Sequence, residues 1–518
     1  MIVRTVIASR LRVSVSPCLR VVLLFPVLLQ SQSPPPPPGT QAAQLPLSGR
    51  TTQTGSVATA QTPVPGLTSS VNTLNTSVQV QGPFTGSTPG ARPFTGKLAL
   101  RDAVNRALEY NLGAIGLTEA MRQVRGQSRM ARSALLPNLN SYLREAVQQT
   151  DLAAVGFRFN LPVRGFTIPT IVGPFNYFDL RATLTQTVAD LAALNNYRSA
   201  QELIKANEAS LRDARDLVTL AAGGAYLQVI AAEARLHSAQ AQIDTAQALF
   251  KQTNDRRTVG LSPQIDVNRS KVELETQQQR LLSLRNDLAK QKINLARIVG
   301  IPPNDHYEIS DEVPYSPSPD LTLDQALQQA FQDRADLVSA AAQVRAAERT
   351  RRAAHAERLP SLAFTADYGA IGVNPSQSHG TFSVVGTLRI PIWEGGRTEG
   401  SIQVADAALD QRRAELQDLR GKVEADVRDA FLDLETATSQ IDVARNNQKV
   451  ARETLELTRQ RFEAGIADAV EVTQAQESVV TADLDYITTL FAHNLAKVSL
   501  ARAMGNAEQH LSQFLRMP

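Results

Sequence analysis

The chain carries the same unit twice, and that duplication restricts its fold more than any single motif does. Leu295-Ala296-Arg297-Ile298-Val299-Gly300 recurs as Leu500-Ala501-Arg502-Ala503-Met504-Gly505, a shift of 205 positions. At the same shift Ala225-Tyr226-Leu227 meets Ala430-Phe431-Leu432, Gly260 meets Gly465, Asp266 meets Glu471 and Val267 meets Val472. Earlier in the unit the shift is 223, where Ala103 meets Ala326, Ala107 meets Ala330, and Leu136-Pro137 meets Leu359-Pro360. The 18 additional residues of the first copy fall between about Thr150 and Pro174, a Gly-, Pro- and Phe-rich stretch that reads as loop. Whatever one copy builds, the other must build again.

Each unit has the same internal order. A helix of about 35 residues is predicted from Leu98, and again from Leu321, ending before Pro137 and Pro360. Two alternating segments follow in each copy: about Leu139–Val147 and Phe178–Gln186, then Leu362–Tyr368 and Phe382–Ile390. Period-two alternation marks strands with one apolar and one polar face, and their length suits tilted strands crossing a bilayer. Two very long helices complete the unit. No proline occurs between Pro174 and Pro263, or between Pro391 and Pro518, although an interior proline would break a helix at about 3 kcal/mol. The helical pattern from about Leu191 to Thr258 would extend roughly 100 Å at 1.5 Å per residue. The returning helix repeats in sevens through Val267, Leu274, Leu281, Leu288 and Leu295, and its counterpart through Val472, Val479, Tyr486, His493 and Leu500. Sevens sustained this long predict coiled-coil packing. His493 reads as a polar residue tolerated in a partly exposed seam.

Composition removes several classes of function. The net charge is +3, with Lys and Arg interleaved among Asp and Glu, so no basic stripe for nucleic acid is present. No phosphate-binding glycine loop, spaced His or Cys ligand set or nucleophile elbow occurs, and neither a cofactor nor a metal is implied. The chain is read as no enzyme. Arg4, Arg10, Arg12 and Arg20 precede the apolar run Val21–Leu29, the pattern of an export signal over residues 1–30. The single cysteine, Cys18, lies before that run. Residues 31–96 are rich in Pro, Gly, Ser, Thr and Gln and read as a flexible leader. The first repeat is placed at 97–305, a linker at 306–320, the second repeat at 321–510 and a tail at 511–518.

Four strands cannot close a barrel alone, and an open sheet edge in lipid leaves backbone groups unpaired at several kcal/mol each. Other copies of the chain must complete it. Two copies would give eight strands and three would give twelve, and only the latter leaves a wide lumen. The residues favour an oligomer without choosing its number.

The duplication, the strand pairs, and the paired motifs Arg256-x-x-x-Gly260 with Asp266-Val267 and Arg461-x-x-x-Gly465 with Glu471-Val472 resemble the TolC-type outer-membrane efflux proteins. The resemblance covers about residues 98–510. It implies a mainly α fold with a small β part: a homotrimer with a coiled-coil helical barrel in the periplasm and a twelve-stranded barrel in outer-membrane lipid. It also implies a periplasmic adaptor and an inner-membrane pump as partners, in an efflux or type I secretion duct. Its aperture acid matches Glu471, and an acid that helps hold the aperture closed matches Asp266. The sequence departs from the family at Gln474, where a second aperture acid is expected, and at Ala467, where a basic residue is expected. The tips that the family uses against adaptor hairpins match Val259-Gly260-Leu261 and Ala464-Gly465-Ile466. Local chemistry offers a plainer role for the acids. Asp468-x-x-Glu471 has the form of a capping box, and Ser262-Pro263 of an N-cap followed by proline at the first helical position. The competing reading is an exported coiled-coil structural or adaptor protein of the periplasm.

Overall fold

The computed structural model describes residues 55–60, 75–80, 82–88, 94–154, 156, 170–302, 304–311, 315–318, 320–505 and 507–515. The expected export signal at 1–30 and much of the leader lie outside the described residues. Among the described residues the chain is mainly helical and its element order runs twice. In the first copy α1 (Leu100–Tyr110) and α2 (Leu112–Ser133) lead into strands β4 (Asn138–Asp151) and β5 (Ile171–Ala189). The long helices α3 (Leu191–Thr258) and α4 (Gln264–Val299) follow. In the second, α5 (Leu323–Asp333) and α6 (Ala335–Ala356) lead into β7 (Ser361–Gly372) and β8 (Ser378–Arg389). Then come α7 (Arg397–Glu463) and α8 (Ala469–Ala503), and a short α9 (Ala507–Leu515).

The single helix expected at the start of each unit is broken in two. Asn111 interrupts the first and Arg334 the second, both extended at ψ 132° and 118°. Position 334 is 111 shifted by 223, so the break itself was duplicated. No proline marks it; tertiary bonds hold it. The Asn111 side chain accepts from the Gly113 amide at 2.9 Å and donates to the Phe84 carbonyl at 2.7 Å. Arg334 pairs with Asp336 at 2.6 Å and Asp426 at 3.1 Å. Gly300 and Gly505, which end the repeated motif, pack against these breaks with positive φ. A Cβ on Gly505 would stand 2.7 Å from the Arg334 Cα.

The leader and linker are less loose than their composition predicts. Strands β1 (Gly55–Ala60) and β2 (Asn75–Val80) pair antiparallel, and Val78 lies against Gly224 of α3. Strand β3 (Gly96–Leu98) pairs in parallel with β6 (Tyr307–Ile309), inside the stretch read as a linker. Tyr226 of α3 fastens that crossing, donating to the Leu98 carbonyl at 2.8 Å and to Asp311 at 2.9 Å. The tail is likewise helical to Leu515, with Leu511 packed against Gly223.

The four repeat strands form one antiparallel sheet in the order β4-β5-β7-β8. They are longer than the alternating segments, at 14, 19, 12 and 12 residues. Pairing extends each strand past the region of clean alternation, and Gly173 and Pro174, read as loop, lie inside β5. Register places Leu139, Leu184, Ala366 and Val384 in one row across the sheet, and Ala182, Tyr368 and Phe382 in another. That face is apolar and open: Leu139, Leu143, Tyr368, Phe382 and Val384 are 61–78% exposed. The opposite face is polar, where Arg181 meets Asp179 and Asp367.

The helices pack as a wall. Beside the sheet the order of neighbours is α2-α3-α6-α7, and toward the hairpin tips it is α4-α3-α8-α7. The heptad positions face inward, with Val267, Leu281, Leu295, Val472, Val479 and Leu500 buried. Buried polar ties cross between layers. Asp483 of α8 accepts from Ser238 and Gln242 of α3 and from Gln448 and Arg452 of α7. Nearer the middle, Arg502 pairs with Asp213, and the Glu508 amide donates to Asp216 at 3.0 Å. Burial pushes the Asp216 carboxyl up to about 6. An 18-residue stretch of α3 is apolar enough to cross a membrane, but 78% of it is buried against its neighbours, which makes it core.

His493 departs from its predicted setting. It is completely buried, covered by the segment 315–318, with Tyr315 at 5.3 Å between ring centroids and Ser318 Oγ at 3.3 Å. Neighbouring Lys497 is also fully buried and donates to the Ser316 carbonyl at 2.6 Å. Burial, reinforced by Lys497, pulls the imidazole down to about 4. The neutral ring therefore stabilises the fold above the ordinary histidine range, and that contribution is lost as pH falls from about 6.5 through about 4. The loss amounts to about 3 kcal/mol. We expect chemical denaturation of wild-type protein in detergent to show it between pH 7 and pH 4. A His493→Gln variant should lack this part of the acid limb.

Candidate functional site

Each pair of long helices meets in a tight turn, and the two turns are copies of one another. In the first, Gly260 (φ 77°) donates to the Arg257 carbonyl at 2.9 Å and Leu261 to the Arg256 carbonyl at 2.8 Å. In the second, Gly465 (φ 75°) donates to Phe462 at 3.0 Å and Ile466 to Arg461 at 2.8 Å. Each is the paired six-to-one and five-to-two closure of a Schellman motif, whose left-handed position favours glycine. The turn leaves its aliphatic residues outside: Val259, Leu261 and Ile466 are 69%, 76% and 69% exposed. Ala464 and Gly465 are exposed as well. Beneath them Phe462, Val472, Ala475 and Leu249 form a small core. The tips are tight, hydrogen-bonded turns with an apolar outer surface.

The acids singled out in the sequence separate into different roles. Asp468 is the N-cap of α8, accepting from the Glu471 amide at 2.9 Å. Pro263 rather than Ser262 occupies the N-cap position of α4, and the Ser262 side chain provides no cap bond. Asp266 is part-buried and pairs along its own helix with Arg269 at 3.6 Å. Glu471 reaches across the turn to Arg461 at 3.2 Å, both half-exposed. Gln474 is exposed one turn further on.

Two arginines at matched spacing from the tip glycines, Arg256 and Arg461, organise this end. Arg256 donates to the Glu463 carbonyl at 2.9 Å and stacks on the Phe462 ring at 4.4 Å, so the first hairpin grips the second. Arg461 partners Glu471, although Ala467 stands where the family's basic residue is expected. Their matched spacing from Gly260 and Gly465 was the available signal. The site thus holds two linked hairpin tips, with Val259, Gly260, Leu261, Ala464, Gly465 and Ile466 exposed at the outer surface and the carboxylates of Asp468 and Glu471 near solvent.

The family model described as outer membrane efflux protein matches residues 119–301 and 326–506. The chain belongs to that family, and its place is the outer membrane. It is 25% identical over 430 residues to outer membrane protein OprJ of Pseudomonas aeruginosa, covering 78% of this chain and 84% of that protein. Among solved structures, it superposes on the Campylobacter jejuni CmeC outer membrane channel with a TM-score of 0.67 at 17% identity, covering 80% of this chain and 88% of that one. The outer membrane protein VceC of Vibrio cholerae gives 0.65 at 18% identity, covering 78% and 96%.

Proposed function

We propose that three copies of this chain close head to tail into an export duct that performs no chemistry on its cargo. The observation that carries this reading is the matched pair of open edges on one protomer. Strand β8 and helix α7 form one edge from end to end, and β4, α2 and α4 form the other. Along α7, Val443, Val450 and Leu457 repeat in sevens and are 56–65% exposed; along α4, Val272, Leu282 and Ile293 are equally open. Unlike edges that face away from one another produce a ring when the rotation closes. Three protomers give twelve strands, with the apolar face outward against lipid and the Arg181 face toward the lumen. Ile392 and Trp393, 94% and 85% exposed beyond β8, then lie at the membrane boundary that indole rings prefer.

In this reading the helices extend into the periplasm and the tips form the inner mouth. Val259, Gly260, Leu261, Ala464, Gly465 and Ile466 offer the contact surface for a periplasmic adaptor, which connects the duct to an inner-membrane pump. Small molecules or proteins are the cargo. Threefold symmetry turns Glu471 into a ring of three. At about 6 Å each pair would repel by roughly 0.7 to 2.8 kcal/mol for effective dielectrics of 80 to 20. Arg461 offsets that repulsion, and Asp266, already paired with Arg269, contributes less. Reversal potentials of purified channels across a salt gradient test the assignment. Glu471→Gln should reduce cation preference and Arg461→Ala should increase it; potentials unchanged in both would remove this pair from the mouth. A structural coiled coil of the periplasm would leave the apolar sheet face without a purpose.

A further inference from the structure

We propose that Arg297 of one protomer and Asp418 of the next form an ion pair between neighbouring subunits, repeating at the outer joint the pair that joins the two halves of one chain. The inference rests on the reading that copies close head to tail, with α7 of one against α2 and α4 of the next. Inside the chain the halves already meet in that manner, because α3 of the first copy packs against α6 and α8 of the second. The counterparts of α3, α6 and α8 in the other copy are α7, α2 and α4. Their bounds superpose. A shift of 223 carries α2 (Leu112–Ser133) onto α6 (Ala335–Ala356). A shift of 205 carries α3 onto α7 and α4 onto α8, to within a residue at each end. Side chains hold their places too. Arg125 faces Glu208 at 3.8 Å between α2 and α3, and Glu348 faces Arg413 at 3.3 Å between α6 and α7, the same contact with its charges exchanged.

At the inner joint Arg502 of α8 and Asp213 of α3 form a buried ion pair. The shift of 205 leads from Arg502 to Arg297 on α4, and from Asp213 to Asp418 on α7. Residue type is unchanged at both positions. Other polar contacts across the inner joint have diverged in the second set. Ser210 and Ser339, bonded at 2.8 Å, correspond to Glu415 and Gly116, and Asp483, which ties α8 to α3, corresponds to Gln278. Within one protomer Arg297 and Asp418 lie on opposite edges, both exposed. Among the described residues neither side chain has an ion pair or a hydrogen bond. Their apolar neighbours are equally uncovered. Val498 of α8 is completely buried and lies 3.9 Å from the Cβ position of Gly223 on α3. Its counterpart Ile293, four residues before Arg297, is 56% exposed. Ser199 of α3 is buried under α6, donating to the Ala346 carbonyl at 2.9 Å, while its counterpart Val404 on α7 is 73% exposed. A second copy of this chain, laid on as the halves are laid on each other, covers Ile293 and Val404 and brings Asp418 to Arg297. Enclosed together, the two charges fix the register of the joint, since either one left alone there would be costly.

Charge exchange tests the pair, with assembly of the full chain in detergent followed by mass photometry over a dilution series. Arg297→Asp and Asp418→Arg each put two like charges at every joint. Each should raise the concentration at which half the chains are assembled by about a hundredfold. The double variant Arg297→Asp, Asp418→Arg restores opposite charges and should assemble more tightly than either single one, approaching wild type. A single variant that assembles as tightly as wild type, or a double variant no tighter than the single ones, overturns the pair and leaves the ring standing. Far-UV circular dichroism of the dissociated variants should match wild type, because both side chains meet water in a single chain. A lost helical signal would mean that they serve the protomer's own fold, and would also overturn the pair. Wild-type protein that stays a single chain at every concentration overturns the ring, and the pair with it.

Discussion

Replacing Val450 with aspartate should abolish the oligomer while leaving the protomer folded. Val450 is 56% exposed on α7, in line with Val443 and Leu457, so within one chain the substitution meets mainly water. At a head-to-tail interface the same carboxylate would be enclosed between helices. An unpaired buried charge costs several kcal/mol, and the ring contains the defect three times. Each 1.4 kcal/mol is tenfold in an association constant, so the assembled fraction should fall by orders of magnitude. Electrophoresis of unheated samples and mass determination in detergent would follow the loss, with far-UV circular dichroism confirming that the helices persist.

The second large effect concerns the sheet. Val384→Arg puts a guanidinium at the centre of β8 on the apolar face, in the row with Leu139, Leu184 and Ala366. On the lipid face of a membrane barrel such a substitution costs about 2 to 4 kcal/mol at mid-depth, and in the proposed ring each protomer carries it. Folding into lipid vesicles should fall sharply. Ser383→Arg, one residue away on the polar face, should insert nearly as well as wild type. A strand with reversed tolerance would mean that the polar face meets the lipid. The pair of variants therefore reads the orientation of the sheet, as well as its stability.

Much of this architecture was legible in the sequence because it depends on period and on repetition. Helical spacing without proline located α3 from end to end, and the two heptad lines fall within α4 and α8. Alternation located all four strands of the sheet, though it underestimated β5, whose ends are carried by pairing with β4 and β7 rather than by their own composition. The helix breaks at Asn111 and Arg334 escaped notice because their cause is remote in the chain: the Phe84 carbonyl in one case and Asp426 in the other. The same holds for His493, which lies on a heptad line that reads as a seam until the segment 315–318 covers it. At the tips the glycines were readable from their spacing. The partners of Arg256 and Arg461 were not, since the first bond crosses 207 residues to the other hairpin and the second spans a turn whose geometry is set by Gly465.

Closure itself can be measured with two cysteines. Leu457 lies six residues before the end of α7 and Val272 eight residues after the start of α4, so both lie roughly 9 to 12 Å from the tips. Within one protomer α3 and α8 stand between them, at helix spacings of about 8 to 10 Å. A Leu457→Cys, Val272→Cys double variant treated with a thiol cross-linker of about 10 Å reach should give a ladder that ends at three linked chains, with neither single variant passing two. A product confined to one chain, or a ladder continuing beyond three, would contradict a closed three-membered duct.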